Sequence, residues 1–164
     1  MKVSKLISPI FLLAFIIIYS CGSTGGYFSK SKCGMTLINP KKNYKQTDSI
    51  VKRGRIGLGV LNVFEKVSGL KDSSAVYDFY NKKIRETANY TPREVVDALN
   101  FRIESFCFKH KQLDKDRRDS QLPQSSRKKA DSLYFVNLDN IETFNKILQG
   151  QISNPLDSIV KKKP

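Results

Sequence analysis

The stretch "TPREVVDALNFRIESFCFKHKQL", Thr91 to Leu113, decides the fold. Thr91 stands where a helix N-cap is expected, Pro92 takes the first helical position, and Glu94 falls at the reciprocal capping-box position. Val95, Leu99, Ile103, Phe106, His110 and Leu113 then recur every three or four residues, the spacing of one apolar helical face. Arg102, Lys109 and Lys111 lie off that stripe. Immediately upstream, "DSSAVYDFYNKKIRETANY" repeats the pattern, with Asp72 or Ser73 as cap and Val76, Tyr80, Ile84 and Ala88 at four-residue steps. A connection this short predicts an antiparallel helical hairpin over about 72–113.

The flanking segments are less decided. Thr47 to Leu70 carries both patterns: Ile50, Leu61 and Phe64 fit a helical face, while Ile56, Leu58 and Val60 alternate as in a strand. Thr47 or Asp48 can cap a helix there, and a helix is the favoured reading despite Gly54, Gly57 and Gly59, each of which weakens one by about 1 kcal/mol. On that reading the glycines let another backbone approach closely. The Gly54-x-x-Gly57-x-Gly59 spacing matches no phosphate-binding loop. Asp114 to Lys129, "DKDRRDSQLPQSSRKK", reads as an exposed polar loop reaching to about residue 131, with room for the preceding helix to extend into its start. Ser132 to Leu138 is a short apolar segment of undecided type. A further helix is expected over Asp139 to Gly150, opened by an Asp139/Glu142 capping box, and Met35 to Ile38 allows a short strand. Residues 27–164 therefore read as one small, mainly α domain with room for minor strands.

Charge is the strongest bulk property. The 164 residues hold 29 Lys and Arg against 15 Asp and Glu, a net charge of +14. A surplus of this size favours anionic partners such as lipid headgroups, acidic glycans or an acidic protein. Nucleic acid is not indicated, because no reading motif is present. The cations cluster: Lys82, Lys83 and Arg85 in the first hairpin helix, then Lys109, Lys111, Lys115, Arg117 and Arg118 at the end of the second. They are read as a basic interaction surface, against the plainer alternative of a solvated face. Asp97 and Glu104 share the second helix seven residues apart and read as solvated partners for nearby cations.

The N-terminus reads as a targeting segment. Lys2 and Lys5 precede Leu6 to Tyr19, an apolar run interrupted only by Ser8 and Pro9 and too short to span a bilayer, which needs roughly 20 residues. Ile18-Tyr19-Ser20-Cys21 resembles the lipobox of bacterial lipoproteins: an aliphatic residue three before the cysteine and a small residue directly before it. The resemblance covers residues 1–21 only. It implies a signal peptide over 1–20, lipid attachment at Cys21, a flexible tether over 21–26, and a domain lipid-anchored to the membrane of the bacterial cell envelope, periplasmic or surface-exposed.

With Cys21 assigned to lipid, Cys33 and Cys107 remain, and an exported pair can form one disulfide. The plainer alternative is two reduced thiols. Cys107 and His110 stand three apart on one helix, a spacing that can offer two metal ligands or a thiol beside a base. No third group is identifiable, so no catalytic residue, metal or cofactor is assigned. The functional expectation is a non-catalytic interaction or accessory lipoprotein binding an acidic partner or anionic surface. A thiol enzyme or metal site at Cys107 and His110, and an inhibitor or immunity-type lipoprotein, are the alternatives.

Overall fold

A computed structural model describes residues 26–66, 73–152 and 156. The expected signal peptide, Cys21 and the tether up to residue 25 lie outside the described residues. The described residues open with a two-stranded antiparallel hairpin, β1 (Phe28–Lys30) and β2 (Thr36–Ile38), in the register Phe28↔Ile38. Its turn uses Gly34 at φ +86°, a conformation that costs glycine little. Four helices follow among the described residues: α1 (Ser49–Lys66), α2 (Ser73–Glu86), α3 (Pro92–Arg118) and α4 (Gln124–Leu148). The mainly α class with minor strands is the fold observed.

α1 is the central helix, and the ambiguous Thr47–Leu70 stretch resolves as helical. Asp48 begins it: its carbonyl accepts from Val51 and Lys52, and its carboxylate accepts from the Lys45 N–H at 2.8 Å. The three glycines give it three flat places. A Cβ on Gly54 would meet Val95 Cγ1 at 2.9 Å, one on Gly57 would meet Leu99 and Phe144 at 3.2 Å, and one on Gly59 would meet the Tyr80 ring at 2.7 Å. The glycines therefore admit side chains from α2, α3 and α4, where the sequence suggested room for a backbone. This explains how one helix packs against α2, α3 and α4 at once. The helix propensity lost at each glycine is offset by the close packing it permits.

The capping box of α3 forms as expected. Thr91 Oγ1 accepts from the Glu94 N–H at 3.3 Å, and the Glu94 carboxylate accepts from the Thr91 N–H at 2.7 Å. The buried face is the stripe Val95, Leu99, Ile103, Phe106 and His110, widened by Val96 and Cys107. A tight turn joins α2 to α3, yet each packs chiefly elsewhere: α2 on α1, and α3 on α4. The core holds Met35, Ile38, Val51, Leu58, Leu61, Leu99, Ile103, Phe144, Ile147 and Leu148, all essentially inaccessible.

The polar loop expected over about 114–131 is corrected. α3 continues to Arg118 and α4 starts at Gln124, leaving a connection of only 119–123. The Ser132–Leu138 segment is helical as well, so the Asp139/Glu142 pair lies in mid-helix and caps nothing. The physical reason is tertiary: Ala130 is buried and Tyr134 stacks on His110, which holds this polar stretch in helical form.

The β-hairpin is strapped to the helices by side-chain amides. Asn145 of α4 accepts from the Thr36 N–H at 2.7 Å and donates to the Gly34 carbonyl at 3.0 Å. Asn100 of α3 accepts from the Ile38 N–H at 3.1 Å and donates to the Ile38 carbonyl at 2.7 Å. Each amide thus satisfies backbone groups that a third strand would otherwise pair, and it does so while Met35 and Ile38 are buried beneath.

Candidate interaction surface

The sulfurs of Cys33 and Cys107 are bonded, with Cα atoms 5.2 Å apart. The bridge fastens the hairpin turn to the middle of α3, and the Ser31 hydroxyl lies 3.2 Å from Cys107 Sγ. This bonding corrects the thiol-centred alternative. A sulfur already held in a disulfide is neither a free nucleophile nor a thiolate ligand.

His110 does lie one turn beyond Cys107, but its ring belongs to a different cluster. It is only 8% exposed and stacks on Tyr134 with centroids 4.5 Å apart and planes 14° from parallel. Arg117 covers the same Tyr134 ring, its guanidinium carbon 4.1 Å from the centroid. Arg117 is tied to Asp114 at 2.7 Å and to Asp131 at 3.5 Å, and Arg118 reaches Asp114 at 3.0 Å. Burial works to raise the Asp114 carboxyl, but the hydrogen bond from Arg117 and the charges of Arg118 and Arg117 hold it below its usual range. Tyr134 and Asp131, which pin the ends of α3 and α4 together, were not singled out in the sequence. Their signal would have required reading residues 124–138 as a helix.

His110 Nδ1 is buried with no hydrogen-bond partner among the described residues. Burial pushes its pKa below the ordinary value near 6.5, and the Arg117 charge adds to this against the opposing pull of Asp114. Because the folded-state pKa is depressed, the folded chain binds fewer protons than the unfolded one between that value and 6.5. Stability is then fully present above about pH 6.5 and falls as the solution is acidified through the folded pKa. Urea midpoints are expected to drop between about pH 7 and pH 5, and His110→Phe is expected to flatten that segment. An unchanged slope in the variant would assign the effect to other groups.

The two expected basic groups sit on different helices, and carboxylates partner much of them. Lys83 pairs with Glu86 at 2.8 Å. Arg102 and Lys109 share Glu65 at 2.7 and 3.8 Å. The hydrogen bond from Lys83, with the charges of Lys83, Lys82 and Arg102, keeps Glu86 below the usual carboxylate range. Of the eight cations named from the sequence, Lys82, Arg85, Lys111 and Lys115 form no ion pair among the described residues. The second group thus supplies Lys111 and Lys115 to the surface, while Arg117 serves the Tyr134 cluster.

The outward side of α3 carries a feature that the basic clusters obscured. Phe101 is 68% exposed and Phe108 72% exposed, seven residues apart and opposite the buried stripe. On α4, Phe135, Val136 and Leu138 are also exposed. Their signal was available as an i, i+7 repeat out of phase with the core stripe. A cavity of about 340 Å³ lies elsewhere, at the start of α3, lined by Lys42, Tyr44, Thr91 and Arg93 among others. Glu94 already serves the helix N-terminus there. Among the described residues, no helix is long and apolar enough to cross a membrane.

No family model matches the chain, and no solved structure matches it. Among curated proteins it is similar to the mitochondrial cytochrome b-c1 complex subunit 7-1 of Arabidopsis thaliana. The two are 32% identical over 90 residues, which cover 53% of this chain and 67% of that protein. This relationship overturns the expectation of a bacterial cell-envelope lipoprotein with a periplasmic or surface-exposed domain, and with it the inhibitor or immunity-type alternative. The lipobox resemblance rested on a few residues of the N-terminal segment, whereas the relationship to a mitochondrial complex subunit spans 90. The chain belongs to the family of cytochrome b-c1 complex subunit 7.

Proposed function

We propose that this protein is a helical accessory subunit of a mitochondrial cytochrome b-c1-type complex, with an assembly role held through protein partners. The observation that carries the reading is the 90-residue relationship to subunit 7-1. The structure is compatible with such a role. The central helix is enclosed on three sides, and the long helices α3 and α4 turn exposed aromatic and cationic side chains outward. The acidic partner first inferred from net charge becomes, in this reading, an acidic face of a neighbouring subunit, met by cations such as Lys82 and Arg85, which form no ion pair among the described residues. Opposite charge at such a contact contributes mainly to encounter rate and orientation.

The test is replacement in an Arabidopsis line lacking subunit 7-1. An epitope-tagged copy, directed to mitochondria, is followed by native electrophoresis of detergent-solubilised membranes. Co-migration with the assembled cytochrome b-c1 complex is expected. A tag found only at the position of the free 18.7 kDa chain would overturn the proposal.

A further inference from the structure

We infer that the outward face of α3 is a self-complementary docking surface for a second copy of this chain, in antiparallel orientation. Asp97, Phe101, Glu104, Phe108, Lys111 and Lys115 follow one another at steps of four and three residues, and all six are exposed. That is the spacing of a coiled-coil seam, and it runs opposite the face that builds the core. The seam is about 27 Å long at 1.5 Å per residue.

Its charges are polarised along that length. The two carboxylates, Asp97 and Glu104, stand toward the N-terminal end, and the two ammonium groups, Lys111 and Lys115, toward the C-terminal end. Among the described residues Asp97 has only a long contact with Arg93, 3.7 Å between two exposed side chains. Glu104, Lys111 and Lys115 have no ion pair among the described residues. A face of this kind does not suit an anionic lipid surface, which would meet Glu104 between the two phenylalanines. It does suit its own copy reversed. With the twofold axis level with Phe106, Asp97 of one copy falls opposite Lys115 of the second, and Glu104 comes beside Phe108 and Lys111 of the second. The phenylalanines of both copies then lie together, out of water. An isologous contact requires this reciprocal matching. The polar seam positions fix orientation and register at some expense in strength.

This goes beyond the assembly reading and is tested on the isolated full-length chain, so either can fail alone. Sedimentation equilibrium in a nonionic detergent, across the micromolar range, reads the mass of the protein component. Wild type is expected to approach twice 18.7 kDa with rising concentration. Phe108→Asp is expected to lose the dimer with circular dichroism and thermal midpoint unchanged, because the side chain packs on nothing in the core. Glu104→Lys alone and Lys111→Glu alone are each expected to weaken the dimer, and the double variant Glu104→Lys/Lys111→Glu to restore it. A monomer at every concentration would overturn the inference and leave the face to another subunit. A dimer that survives Phe108→Asp, or a charge swap without rescue, would overturn it as well.

Discussion

Replacing Cys33 with serine and Cys107 with alanine lowers the free energy of unfolding by about 3–4 kcal/mol, an expected thermal shift of about 10 °C. The bridge closes a sequence separation of 74 residues. In the chain-entropy view a loop of that length is worth about 4.5 kcal/mol through restriction of the unfolded state. The expected loss is smaller because the strap has other fastenings. Asn100 and Asn145 keep four hydrogen bonds to the backbone of Gly34, Thr36 and Ile38. Met35 and Ile38 stay buried beneath. Far-ultraviolet circular dichroism should therefore be unchanged at low temperature, while the melting curve moves. Loss of Ser31, whose hydroxyl faces the sulfurs, is expected to cost little. A shift of only a few degrees in the double cysteine variant would mean that the asparagine clamps alone determine the strap.

How much of this could be read in the sequence depends on how local the deciding interaction is. The start of α3 was legible because Thr91, Pro92 and Glu94 form a cap from adjacent residues. Its buried face was legible because one periodicity runs unbroken from Val95 to His110. The body of α4 was not. Gln124 to Lys129 is polar, and polarity reports exposure, which a surface helix and a loop share. What makes the stretch helical is Tyr134 stacked on His110 and clasped by Arg117, contacts between segments 14 to 24 residues apart. The basic clusters show the same limit. Lys109 and Arg117 look alike in the sequence, but one is half of a pair with Glu65 of α1 and the other is bound to Asp114 and Asp131. Only folding shows which cations are left for a partner. Net charge identified an electrostatic surface and could not place it. The N-terminal segment illustrates the converse. A short local pattern was specific enough to suggest a compartment, and the relationship spanning 90 residues displaced it.

Truncating Phe144 to alanine is expected to destabilise the chain by about 3–5 kcal/mol, the range for removing a fully buried ring. Phe144 has no accessible surface, and its ring lies against Gly57 on the central helix. The interest of the site is the coupling between the two. A methyl group on Gly57 would stand 3.2 Å from the Phe144 ring and 3.2 Å from Leu99. The crowding opposes the roughly 1 kcal/mol that alanine gains over glycine in a helix interior, so Gly57→Ala alone is expected to change stability little. Once Phe144 is truncated, one of the two crowding neighbours is gone and the added methyl occupies part of the vacated space. The double variant Gly57→Ala/Phe144→Ala is then expected to be about 1 kcal/mol more stable than Phe144→Ala, a non-additivity that contact between the two sites requires. Urea unfolding of the four proteins in the cycle measures it. Strict additivity would mean that Leu99, rather than Phe144, is the neighbour that keeps position 57 a glycine.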